Sequence, residues 1–235
     1  MPYPFAHPAA ILPLARPMGR FAVPSALAIG SIIPDGWYLV PFLARDASHS
    51  LGGLFGFCLP AGLLVYLAFH LLLKEPLLAL LPRCVACRLA GAMVERLPRV
   101  PWHAVIASLL AGCSTHLAWD AVTHERWIVN GFQVLQHAST LIGAAVLGAW
   151  LWRWLRAAPA SPAPPACLLS APARTAIVTF LVGLSVAWAL AATEPTRLPH
   201  STEEVRGALR AAGAAAAQAF VMSAIGYAML WKLLR

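Results

Sequence analysis

The stretch LGGLFGFCLPAGLLVYLAFHLLL, Leu51 to Leu73, carries no charged residue. A helix needs about 20 apolar residues to cross a hydrocarbon core of about 30 Å, and this run is long enough to do so. Pro60 lies inside it, where the missing N–H predicts a kink. Working outward, four more runs meet the same criterion: His103 to Val122, Phe132 to Leu155, Thr175 to Ala192 and Ala212 to Leu234. The composition agrees. Of 235 residues 60% are apolar and only 11% charged, with a mean hydropathy of +0.72, whereas a soluble domain carries about 25% charged residues to wet its surface. The expected fold is all-α, a polytopic integral membrane protein with about five transmembrane helices.

The residues before the first span read differently. Met1 to Pro17 is Pro-rich and lacks the basic start and unbroken apolar core of a cleavable leader. Ala22 to Leu43 is apolar but interrupted by Pro24, Pro34, Asp35 and Pro41. It predicts a short helix from Ser25 to Ile33, a turn at Pro34-Asp35-Gly36, and an interfacial or re-entrant segment rather than a span. After the first span, Lys74 to Pro101 is basic and Pro-punctuated, with a surface helix expected near Leu89 to Val94. Residues 1–155 thus form one region, with spans at 51–73, 103–122 and 132–155. A Pro/Ala linker occupies 156–173, and 174–235 is a two-span region. Between its spans, Ser201 or Thr202 with Glu204 predicts a capped helix start.

The net charge of +8 comes from 17 Lys+Arg against 9 Asp+Glu. Lys74, Arg83, Arg88, Arg96 and Arg99 outweigh Glu75 and Glu95 after the first span. Arg153, Arg156 and Arg174 bracket the linker, and Lys232 and Arg235 end the chain. In a five-span arrangement all of these fall on one side, which the positive-inside rule makes cytoplasmic. The charge therefore suits membrane lipid headgroups and gives no reason to expect nucleic acid as a partner.

Ionisable side chains in or beside membrane spans are expensive, so they mark functional sites. In STHLAWDAVTH, His116, Asp120 and His124 stand four residues apart. At ~100° per residue each step drifts only about 40°, so one helix face carries all three. Imidazole and carboxylate at this spacing can share a divalent ion; a polar helix end with a capping histidine is the alternative. Asp35 after Pro34 and His49 between Ser48 and Ser50 each have an ordinary explanation, in turn initiation and helix capping. His7 and His137 carry little weight singly. Topology joins them, because His7, Asp35, His49, His116, Asp120, His124 and His137 all fall toward the same membrane face. That set suits zinc or a related divalent ion, one or two in number. Asp35 and Asp120 are the candidate catalytic carboxylates, with Asp35 able to serve as ligand or as base. His70 and His103 fall at the opposite ends of their spans, and His200 lies in the mixed-charge segment.

Other signatures carry less. Cys84-Val85-Ala86-Cys87 has no second cysteine pair to complete a tetrahedral zinc site. Gly52, Gly53 and Gly56 suit close helix packing, since no phosphate-loop Lys-Ser or Lys-Thr follows. No Gly-x-Ser-x-Gly elbow is present.

The opening MPYPFAHPAAILPL, the GSIIPD turn, HSLGGLFGFCLP, STHLAWDAVTH and LQHASTLIG together resemble a bacterial membrane family catalogued as domain of unknown function 4184, over roughly residues 1–150. That resemblance implies no activity. More distantly, the order Asp35, His49, His116-x-x-x-Asp120 is similar to the ligand order of zinc-dependent phospholipase C and single-strand nucleases, and to inner-membrane metal-dependent hydrolases. This similarity implies one zinc on Asp35, His49, His116 and Asp120, with Asp120 bridging toward a second ion near His7. His124 and His137 fall where those enzymes place further imidazoles. The chain departs from the pattern in beginning at Met1 and in placing Leu141 four residues after His137, where those enzymes have Glu. The similarity therefore implies one or two ions rather than three.

The expectation is a membrane-embedded, divalent-metal-dependent hydrolase of phosphoester or lipid-headgroup substrates. It would lie in the bacterial inner membrane with its site toward the extracytoplasmic face. The rivals are a non-catalytic scaffold stapled by its metal, and a transporter. A transporter needs polar residues continuing across the bilayer. The opposite halves of the spans are nearly pure Ala, Leu and Val apart from His70 and His103.

Overall fold

Two glycines decide how the N-terminal residues meet the spans. Helix α1, Pro24–Gly30, begins on a proline at its first turn, where the missing N–H costs nothing. It crosses the long helix that begins at Trp102 so closely that a Cβ on Gly30 would lie 2.3 Å from the carbonyl oxygen of Leu109. A Cβ on Gly112 would lie 2.3 Å from that of Leu27. The crossing is sealed by Ser108, whose hydroxyl accepts from the Val23 N–H (2.9 Å) and donates to the Phe21 carbonyl (2.7 Å). Val23, Ala26, Tyr66, Ala104, Val105 and Leu109 form the buried apolar cluster around it.

The computed structural model describes residues 4–39, 45–93, 97, 99–124, 132–161, 165, 167–193 and 201–234. Among them there is helix and no strand. After α1 come α2 (Leu51–Ala79), α3 (Arg83–Met93), α4 (Trp102–His124), α5 (Phe132–Ala157), α6 (Ala171–Ala192) and α7 (Thr202–Leu233). Five of these, α2, α4, α5, α6 and α7, are long and apolar enough to cross a membrane. The protein is an all-α, multi-pass membrane protein. Short turns precede the first span, at Pro4–Ile11, Ile33–Leu39 and Arg45–Ser48.

Helix α2 runs on past Leu73, where the sequence suggests an end, through Lys74 and Pro76 to Ala79. Proline clashes with the carbonyl four residues back. For Pro60 and Pro76 those residues are Gly56 and Leu72, and each lies inside a π-helical turn, Leu54–Cys58 and Phe69–Leu73. The widened turns absorb the clash, so the helix continues through both prolines. At its start Ser50 caps the helix by accepting from the Gly53 N–H at 2.9 Å. A capped start also holds for α7, where the Glu204 N–H donates to Ser201 (3.2 Å).

The chain packs as two compact units. The first comprises Met1–Ala68 and Leu97–Ala158, the second Phe69–Arg96 and Pro159–Arg235. In the second, Leu78, Ala79, Ala86, Cys167 and Trp231 form the core. Lys232 pairs with Glu75, and the Tyr227 hydroxyl donates to the Pro76 carbonyl. Helix α6 exposes Phe180, Trp188 and Leu190, and α5 exposes Leu141, Ile142 and Trp152. Such surfaces are stable against lipid rather than water.

Candidate metal centre

The α1–α4 crossing places one turn of backbone, ending at Ser31, directly against His116. The His116 ring is fully buried, and its Nδ1 lies 2.8 Å from the Ser31 carbonyl oxygen. A carbonyl only accepts, so Nδ1 carries the proton and Nε2 presents a bare lone pair. His49 is fixed the same way. Ser48 spends its hydroxyl proton on the Arg45 carbonyl (2.9 Å), leaving its oxygen and that carbonyl to accept from His49 Nδ1 (2.9 and 3.2 Å). The turn is held tight against α2, since a Cβ on Gly53 would sit 2.1 Å from the Ala47 carbonyl oxygen.

Two carboxylates face these lone pairs. Asp120, one helical turn beyond His116, places Oδ2 3.3 Å from His49 Nε2 and 3.8 Å from His116 Nε2. Asp35, in the Ile33–Leu39 turn, places Oδ1 3.7 Å from each of the same two nitrogens. Four acceptor atoms from three segments, the Asp35 turn, the His49 turn and α4, therefore converge with no donor among them. Neither Nε2, nor Asp35 Oδ1, has a hydrogen-bond partner. Facing lone pairs in a buried site repel unless a cation or added protons lie between them. Ligands held about 2.0 Å from a tetrahedral zinc are themselves about 3.3 Å apart, and the four imidazole–carboxylate spacings of 3.3 to 3.8 Å lie close to that value.

Burial and the neighbouring Asp120 charge push the Asp35 carboxyl up from its ordinary 3.8 to about 7, against the opposing pull of His49 and Arg45. His7 stacks on the His116 ring at 3.8 Å between centroids, and its Nε2 lies 3.8 Å from Asp120 Oδ1, the other oxygen of the carboxylate whose Oδ2 faces His49 and His116. His7, His116 and Asp120 form one group able to hold an ion, and Asp35, His49 and His116 another. Both draw on His116, whose single free nitrogen serves one ion.

Five of the seven residues singled out in the sequence, His7, Asp35, His49, His116 and Asp120, are thus brought together. His137 is not. It points outward from α5, which instead buries Gln136, Ser139 and Thr140 on its inner face. His124 ends α4, and its side chain lies outside the described residues, as does His200. His70 is buried elsewhere against Phe69, and His103 packs on Phe21. Arg45 went unread in the sequence. Its Nη2 donates to Asp120 Oδ2 at 2.8 Å, on the very oxygen that faces both imidazoles. The available signal was its isolation, for it is the sole cation between Arg20 and Lys74.

The chain belongs to the DUF4184 family, a domain of unknown function whose profile matches residues 1–230. The match extends beyond residues 1–150, where the resemblance is legible by eye, and takes in the C-terminal spans. No curated protein and no solved structure matches the chain. The likeness in ligand order to phospholipase C and the single-strand nucleases accordingly gains no support from them.

Proposed function

From this family membership, which brings no activity with it, we propose on the site's chemistry that the protein is a divalent-metal-dependent hydrolase embedded in the bacterial inner membrane, acting on phosphoesters such as lipid headgroups. One observation carries the reading, namely that Asp35 Oδ1 and Asp120 Oδ2 each lie 3.3 to 3.8 Å from both His49 Nε2 and His116 Nε2. Zinc, singly, is the ion of choice for two imidazoles and two carboxylates, with His7 on the outer oxygen of Asp120 as the ligand that a second ion would use. Such an ion supplies a nucleophile at neutral pH and polarises a phosphoryl oxygen. The Ser31 carbonyl and the Arg45–Ser48 turn accept from the Nδ1 atoms of His116 and His49 and hold the imidazoles in the tautomer this requires. His49 at the entry of α2 and Asp120 near the end of α4 place the site at span ends, where headgroups sit.

Elemental analysis of the full chain, purified in detergent without chelator, tests the reading beside an Asp120→Ala variant. The expected result is about one zinc or manganese per chain, lost in the variant together with hydrolysis of bis(4-nitrophenyl) phosphate or of phospholipid vesicles. Absence of metal after resupply would overturn it. One observation favours a second reading, a metal that only staples helices: the side chains of Asp35, His49, His116 and Asp120 are at most 5% exposed, and closed sites are structural. Bound metal that raises the unfolding temperature, without turnover of any phosphoester, would establish that reading instead.

A further inference from the structure

The side chain of Arg45 is 33% exposed, whereas that of Asp120, to which it bonds, is 5% exposed. It is the member of the constellation that reaches the surface. Its Nη2 bonds to Asp120, while its Nε is buried without a hydrogen-bond partner. A guanidinium has five donors in a planar fork. Charge decides what this fork is for. Once a dication is held by neutral imidazoles and the carboxylates of Asp35 and Asp120, the two negative charges are balanced and Asp120 Oδ2 is drawn to the ion. Arg45 is then left as an uncompensated cation at the mouth of a low-dielectric site, with donors to spare. An excess cation there attracts an anion, and a fork of donors selects one with paired oxygens.

We propose that Arg45 is the substrate-binding residue of the site, its guanidinium passing from Asp120 in the metal-free protein to the non-bridging oxygens of a phosphoester in the loaded one. The proposal rests on the metal-centre reading above and deepens it. It assigns the same guanidinium two partners in turn, so removing it should weaken phosphate binding without weakening the metal site. Arg45→Gln and Arg45→Lys, made in the full chain in detergent, test this with zinc content by elemental analysis and inorganic phosphate affinity by calorimetry on the zinc-loaded protein. A charge-assisted fork predicts that Arg45→Gln keeps wild-type zinc content and loses roughly ten- to hundredfold in phosphate affinity. Arg45→Lys, which keeps the charge and fills the same turn, recovers part of the loss. Full zinc with unchanged phosphate affinity in both variants would overturn the role of Arg45 and leave the metal centre standing. Loss of zinc in both variants would overturn it too, by making Arg45 a support of Asp120. A wild-type protein that takes up no zinc would overturn the metal reading and this inference together.

Discussion

At the scale of single residues the site is a matter of protons. Asp35, buried beside Asp120, is held near pH 7 in the metal-free protein against 3.8 in an unfolded chain. Between those values the folded protein binds a proton that the unfolded chain has released. The contribution to stability is therefore full below about pH 4 and declines as pH rises toward about 7, beyond which it changes no further. Thermal unfolding of the metal-free protein across this range should show that decline, and Asp35→Asn should flatten it; equal slopes would remove Asp35 as the cause. Metal uptake has the opposite sign, since the ion needs the ionised carboxylate. From this group alone the apparent affinity should rise tenfold per pH unit up to about pH 7 and then level. The ligand types and the His116–Asp120 spacing were legible because they lie within one helix. Arg45 was not, because its partner Asp120 stands 75 positions away in the chain, and only the fold brings the two together.

Elements turn those residues into a site through contacts of backbone on backbone. The alignment of His116 with the Ser31 carbonyl exists only because Gly112 lets α1 lie on α4, a Cβ there falling 2.3 Å from Leu27 O and 2.8 Å from Ser31 N. Gly112→Ala should push the helices apart, costing about 1–3 kcal/mol by overpacking and lowering zinc content as Ser31 leaves His116. Gly148→Ala, inside α5 where nothing lies within 4 Å, should raise stability by up to about 1 kcal/mol through helix propensity and leave zinc unchanged. Wild-type melting and metal content in Gly112→Ala would show that the crossing does not set the site. The spans themselves were legible from hydropathy alone, but two ends moved: α7 begins at Thr202, ten residues before the expected start of its span, and α2 runs on six residues beyond Leu73 to Ala79. There Lys74 and Pro76 suggest a boundary, and the π-helical turn at Phe69–Leu73 carries the helix through it. A sequence window registers proline as a break, but it does not register the wider turn that accommodates one. His137 illustrates the complementary limit. Placing it at the right depth on α5 was possible from the sequence, but the helical phase that turns it outward and Gln136 inward depends on what packs against α5.

For the whole molecule, the side on which the centre opens fixes which headgroups could reach it. In the five-span arrangement expected from the sequence, the basic residues after the first span, around the linker and at the C-terminus would fall on the side away from the centre, and the positive-inside rule would then turn the centre outward. The cysteines supply their own reporter. Among the five, Cys84 on α3 is exposed, while Cys58, Cys87, Cys113 and Cys167 are buried. Asp46, in the turn that carries Arg45 and His49, is exposed as well. An impermeant maleimide applied to intact bacterial cells should therefore leave the native chain unmodified and label a Cys84→Ser/Asp46→Cys variant. Inverted membrane vesicles should give the reverse. The opposite pattern would turn the centre to the cytoplasm, and with it the leaflet from which a phosphoester headgroup could approach Arg45.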